Sequence, residues 1–181
     1  MPASCHAFVG RRLLCAGPLV EVAVAVRAAI PSEPILAFDD ATGQVIDLDL
    51  SGTEDEVSAR YFDDEEAAEA RGRGRPKLGV VGREVTLLPR HWDWLAAQQG
   101  GASVALRKLV DAARKQTEQA DRERAARERA YRFMYAIGGD LPEFEAASRA
   151  LFAGDRKALE ACLANWPEDV AAYTEALLAE A

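Results

Sequence analysis

Residues 35–50, Ile35-Leu36-Ala37-Phe38-Asp39-Asp40-Ala41-Thr42-Gly43-Gln44-Val45-Ile46-Asp47-Leu48-Asp49-Leu50, read as strand, turn and strand. Ile35 to Phe38 is a compact apolar run of strand length. Asp39 to Gly43 is turn chemistry, because aspartate hydrogen-bonds its neighbouring backbone and glycine tolerates positive φ. From Gln44 to Leu50 the pattern alternates. Val45, Asp47 and Asp49 point one way and Ile46, Leu48 and Leu50 the other, as in a half-buried strand. The spacing of Asp39, Asp40, Asp47 and Asp49 does not match a calcium-binding loop. They are read as a turn and a solvent-facing strand edge, and no metal is expected.

Working outward, His6 to Gly10 and Arg12 to Cys15 are two short strands around a Gly10-Arg11 turn. Pro18 opens a helix whose Val20, Val24 and Ala28 share a face, with Val22, Val26 and Ile30 nearby, so the helix is mostly buried. Pro31 and Pro34 end it. Downstream, Thr53-Glu54-Asp55-Glu56 is a capping box that starts another helix. Strand, strand, helix, strand, strand gives a small N-terminal mixed α/β unit over residues 1–62 and makes the chain α+β.

The 181 residues hold 30 acidic and 22 basic side chains, a formal net charge of −8, and 49% of them are hydrophobic. That is enough for a core and excludes wholesale disorder. The charge is uneven. Residues 1–70 carry 4 basic and 14 acidic groups, residues 71–132 carry 15 and 7, and residues 133–181 carry 3 and 9. A basic middle between acidic arms points to nucleic acid at the middle. No apolar run spans a bilayer, since Leu13 to Ile30 is broken by Pro18, Glu21 and Arg27. The N-terminus lacks a secretion pattern. Cys5, Cys15 and Cys162 form no CxxC pair and are too few for a disulfide framework, so the expected compartment is the reducing cytoplasm.

Residues 63–79 read as a linker. Asp63 to Ala70 is acidic and alanine-rich, and Arg71-Gly72-Arg73-Gly74-Arg75-Pro76-Lys77 cannot bury a core. The second stretch resembles the AT-hook, with core Arg73-Gly74-Arg75-Pro76 and flanking Arg71 and Lys77. The resemblance implies arginines inserted in the narrow, negative minor groove of A·T-rich DNA.

Val80 to Leu88 is a β-branched run, Pro89 suits the first turn of a helix, and Trp92, Leu95 and Ala96 recur at helical spacing, predicting a helix that buries an aromatic face. Gln99-Gly100-Gly101-Ala102 breaks it. Ser103 is expected to cap a second helix with an apolar stripe of Leu106, Leu109, Val110 and Ala113. This strand-helix-helix order, with Val85-Thr86-Leu87-Leu88-Pro89 and Gly101 to Val110, resembles the ribbon-helix-helix fold. The resemblance implies a homodimer with strands paired across it, a ribbon in the major groove, and phosphates near the start of the second helix, at Ala102 to Val104, with Ser103 and Arg107 among the DNA contacts. Of the strand residues only Arg83 and Thr86 could hydrogen-bond a base edge, and Glu84 would repel phosphate.

No Gly or Pro lies between Gly101 and Gly138, so the second helix is expected to run to about Tyr135, closing a segment over 80–135. Glu118/Arg122, Glu123/Arg127 and Glu128/Arg132 are stabilising i,i+4 pairs, and Lys115 to Ala130 reads as a solvated rod. Residues 136–181 read as a helical unit with helices over 143–152, from Asp155 to Leu163, and over 168–180. Its expected core is Phe144, Leu151, Phe152, Leu159, Leu163 and Trp166.

Nothing in the sequence points to catalysis or a cofactor. There is no Gly-x-Ser-x-Gly, phosphate loop or HExxH, and Cys5, His6 and Cys15 match no zinc module. Through Phe38 to Gly43, Val45 to Leu50, Gly74 to Val81 and Arg83 to Val110, the whole chain resembles an uncharacterised bacterial family common in proteobacteria, which implies no activity. The expectation is a cytoplasmic, non-enzymatic, homodimeric DNA-binding protein with no membrane contact, a transcriptional regulator or nucleoid-associated factor. The alternative is a dimerisation or protein-interaction module that does not bind DNA.

Overall fold

The structure, a computed structural model, describes residues 4–29, 33–62 and 81–179. The chain divides into two units, residues 1–74 together with 123–181, and residues 75–122.

The larger unit is built on a sheet. Strands β1 (Ser4–Val9) and β2 (Arg12–Pro18) form a hairpin, helix α1 (Leu19–Ala28) follows, and β3 (Ile35–Asp39) and β4 (Val45–Ile46) complete the order β2-β1-β3-β4. Every adjacent pair is antiparallel, with Ala7 opposite Ala37 and Phe38 opposite Val45. The sheet is therefore not mixed. β2 and β3 run the same way, but β1 lies between them and no parallel pair forms. Gly10 turns the hairpin at φ +57, in the left-handed region that glycine enters without steric cost.

Strand alternation sends side chains to two faces. Cys5, Ala7 and Ala37 are buried with Val22 and Val26 of α1. Helix α2 (residues 54–62) adds Val57 and Tyr61, buried with Ala23 of α1. Its capping box forms as the sequence predicts: the Glu56 amide donates to Thr53 Oγ1 at 3.3 Å, and the Thr53 amide donates to Glu56 Oε2 at 2.7 Å. The predicted strand over 44–50 stops at Ile46. Beyond it the Asp49 amide donates to Tyr61 Oη at 2.7 Å and Arg60 donates to the Asp49 carbonyl at 2.5 Å. Side chains of α2 satisfy backbone that a longer ladder would have used.

The opposite face carries the main core. Phe8 and Phe38 meet Phe133 of the long helix α4 (Gly101–Gly138) at ring-centroid distances of 5.4 and 4.9 Å. Ala130, Met134 and Ile137 of the same helix join them. Helices α5 (Phe144–Ala153), α6 (Arg156–Leu163) and α7 (Glu168–Ala179) close this core with Leu151, Leu163, Trp166, Val170 and Tyr173. The C-terminal helices thus pack on the N-terminal sheet instead of around a core of their own, and Phe152 is exposed. α5 ends at Gly154 with φ +70, and Asp155 caps α6 by accepting from the Ala158 amide at 3.1 Å, as the sequence implies.

The smaller unit holds residues 81–88, which belong to no helix or strand, helix α3 (Pro89–Ala96) and α4 up to residue 122. Pro89 opens α3 after an extended Leu88 (φ −67, ψ 148).

Candidate nucleic-acid interface

The predicted contact residues fall in the smaller unit and its approach. Arg71, Arg73, Gly74, Arg75, Pro76 and Lys77 lie outside the described residues. Arg83, Thr86, Ser103 and Arg107 are all exposed. α4 begins at Gly101, so Ser103 sits inside its first turn and does not cap it. The Gly100-Gly101 pair, at φ +90 and +72, makes the break expected there, and α4 starts within it, ahead of Ser103.

The register of α4 sorts its surface. At about 100° per residue, Arg107, Lys108, Asp111, Arg114, Lys115 and Glu118 lie within an arc of about 120°. Leu106, Leu109, Val110, Ala113 and Ala120 occupy the opposite side. Every residue from Arg107 to Ala120 is exposed. Four cations and two carboxylates thus line a bare helix. Arg122 pairs with Glu118 at 3.7 Å, Arg127 with Glu123 at 3.1 Å and Arg132 with Glu128 at 3.6 Å, the three i,i+4 pairs expected from the sequence. Each is worth only a few tenths of a kcal/mol, about 0.3–0.5, because both partners are solvated.

The apolar side is equally bare. Only Leu95 and Ala105 are buried among the described apolar residues of this unit. Val81, Val85, Leu88, Trp92, Trp94, Leu109 and Val110 are exposed, Trp92 by 41% and Val110 by 54%. The aromatic face expected to be buried in α3 is therefore open. A segment of this size has too little volume to enclose two indoles and a leucine stripe.

A second polar constellation, which no local pattern in the sequence marks, lies in the larger unit. Asp40 Oδ1 accepts from His6 Nδ1 at 2.8 Å and from Tyr173 Oη at 2.5 Å, and His6 stacks on the Tyr173 ring with centroids 4.2 Å apart. Asp40 is thus no solvent-facing turn residue. Its side chain is 16% exposed and ties β1 and the end of β3 to α7. Burial opposes its ionisation, but hydrogen bonds from His6, Tyr173 and Ser4 outweigh that and hold its carboxyl below the usual range. Burial, reinforced by the Asp40 carboxylate, pushes the Tyr173 phenol far above its ordinary value. The same turn docks on α4: Arg132 donates to the Thr42 carbonyl at 2.8 Å, and Gly43 (φ +67) lies against the Arg129 backbone. The Asp-Asp-Ala-Thr-Gly run announces a turn, but the partners of Asp40 lie 34 and 133 residues away, and no local pattern marks them.

A groove of about 550 Å³ between α1 and the β3–β4 edge is walled by Val26, Ile35, Val45, Leu48 and Leu50, with Arg27 and Asp47 its charged members. None of His6, Asp40 and Tyr173 lines it. Among the described residues no His, Cys, Asp and Glu cluster suits a metal ion, and no helix is long and apolar enough to cross a membrane.

The model of a family described as "Uncharacterized protein conserved in bacteria (DUF2239)" matches residues 4–178. No curated protein and no solved structure matches the chain.

Proposed function

From membership of this bacterial family, which the match over residues 4–178 establishes, and from the chain's own surface, we propose a cytoplasmic, non-enzymatic, homodimeric DNA-binding protein, a transcriptional regulator or nucleoid-associated factor. The observation that carries the reading is charge segregation: residues 71–132 hold 15 basic and 7 acidic side chains between two acidic arms. Within that stretch, the exposed Arg107, Lys108, Arg114 and Lys115 share one side of α4. The division of labour is that Arg73-Gly74-Arg75-Pro76 enters the minor groove of A·T-rich DNA, flanked by Arg71 and Lys77. The ribbon-helix-helix-like segment dimerises and sets the spacing, with Ser103, Arg107 and one of Arg83 or Thr86, which alternate on opposite faces of a strand, toward the duplex.

The test is binding of the full chain to A·T-rich and G·C-rich duplexes at rising salt. An arm that neutralises about three phosphates gives a log–log slope near −3. Replacing Arg73 and Arg75 by Ala removes the A·T preference and leaves the oligomeric state unchanged. Absence of binding at about 50 mM salt, where phosphate contacts are strong, defeats the reading. A second reading, a dimerisation or interaction module without DNA, is favoured by Glu84, Asp111 and Glu118 among the exposed cations. It predicts a dimer with no duplex affinity.

A further inference from the structure

We propose that the groove between α1 and the β3–β4 edge binds a small zwitterion with an apolar body, of the class of the apolar α-amino acids, through Arg27 and Asp47. The site lies wholly in the larger unit and is independent of the DNA reading, so either can fail alone. Three observations support it.

The first is how the chain leaves the space. Helix α1 packs chiefly on β1 and β2, so the β3–β4 end of that sheet face is left uncovered. β4 stops at Ile46 because Tyr61 and Arg60 take the backbone around Asp49. The chain beyond Ile46 therefore lines the far side with Leu48 and Leu50 and does not close the gap. Ala37, between them and α1, has too short a side chain to fill it.

The second is size and lining. At about 550 Å³ the groove falls within the range of small-molecule sites, about 300–1,000 Å³. Its inner wall holds Val26 and Ala37, 6% and 3% exposed, and its rim holds Val45, 48% exposed. An apolar body can enter past Val45 and displace water from the inner wall, which is favourable.

The third is charge. Arg27 and Asp47 are the charged side chains of the lining. Among the described residues neither is ion-paired or hydrogen-bonded through its side chain, to the other or to a third group. Arg27 does act on Glu56, lowering its carboxyl, but that carboxylate is already bound by the Thr53 amide and hydroxyl. One cation from the helix and one anion from the strand thus share an apolar groove without meeting. A ligand with both charges satisfies them together. Its carboxylate accepts from the guanidinium, which can donate two parallel bonds, and its ammonium donates to Asp47. A ligand with one charge leaves the other side chain without a partner beside its apolar body.

The experiment titrates the full chain by calorimetry at pH 7. L-Phenylalanine and L-leucine bind with a Kd of about 10 μM to 1 mM, the range expected for about a dozen heavy atoms or fewer. Glycine, which lacks the apolar body, does not bind. 3-Phenylpropionate and phenethylamine, each with one of the two charges, bind at least tenfold more weakly than L-phenylalanine. Arg27→Gln weakens L-phenylalanine at least tenfold and leaves phenethylamine unchanged. Asp47→Asn weakens it likewise and leaves 3-phenylpropionate unchanged. Val45→Trp fills the mouth and abolishes binding with an unchanged far-ultraviolet circular-dichroism spectrum, since Val45 is exposed and tryptophan suits a strand. If that variant unfolds, the Arg27 and Asp47 variants still decide the matter. No binding of either amino acid at about 5 mM, above the expected range of Kd, overturns the site. Binding that survives Arg27→Gln and Asp47→Asn overturns its location. Equal affinity for 3-phenylpropionate or phenethylamine overturns the ligand class.

Discussion

Asp40 shows how a single side chain can look ordinary in sequence and be central in the fold. One carboxylate oxygen accepts from both His6 and Tyr173, so it joins two strands to the last helix. Asp40→Asn keeps the shape but removes the charge that strengthens both bonds, at a cost of about 1–3 kcal/mol. Urea melts at pH 7 measure it. Because the folded carboxyl titrates below its ordinary value, its stabilisation is fully present above about pH 4 and is lost as pH falls through the lower folded value. The gap between wild type and variant therefore narrows as pH falls below about 4, and a constant gap would contradict this assignment. Gly43 is the complementary case. At φ +67 an alanine is strained, and its Cβ would fall 2.1 Å from the Arg129 carbonyl oxygen. Gly43→Ala should lower stability by at least about 2 kcal/mol, read as a lower Tm. The sequence makes Gly43 legible as a turn glycine. It does not show that the turn abuts a helix 86 residues further along.

Among the elements, those with local signals were legible. The capping box at Thr53, the cap at Asp155, the stop at Gly154 and the three Glu–Arg pairs of α4 all follow from spacing within one helical turn. Those that depend on a distant partner were not. β4 is cut to two residues because Tyr61 and Arg60 take the backbone beyond it. Ser103 loses its capping role because the glycine pair starts α4 earlier. α4 itself is two things in succession, a bare charged stretch from Arg107 to Ala120 and a core helix from Ala126 to Ile137. Substitutions should separate them. Phe133→Ala removes a ring fully enclosed by Phe8, Phe38 and Tyr173 and should cost about 3–5 kcal/mol. Ala112→Ser on the bare stretch should change stability by less than about 0.5 kcal/mol. Chemical denaturation of the two variants checks the contrast, and equal losses would deny the division.

For the whole molecule, the net charge of −8 conceals the basic segment that carries the proposed function. The acidic arms should oppose non-specific DNA binding through the summed field. Changing Asp63, Asp64, Glu65 and Glu66 to their amides should tighten binding to a random duplex several-fold at about 50 mM salt, with the gain shrinking at higher salt. Fluorescence anisotropy titrations measure this, and unchanged affinity would mean that the arms exert no field at the binding segment. The sequence by itself determined the α+β class, most helix limits, the charge segregation and the helix-turn-helix order of residues 89–138, because periodicity, caps and turn residues act within a few positions. Only the tertiary structure decided that the C-terminal helices and the N-terminal sheet share one core, that Asp40 is a half-buried hydrogen-bond centre, and that apolar residues of the segment 81–122 are left exposed. Each of these depends on which surfaces meet after the chain has closed long loops, and burial of apolar area selects those contacts without leaving a local mark in the sequence.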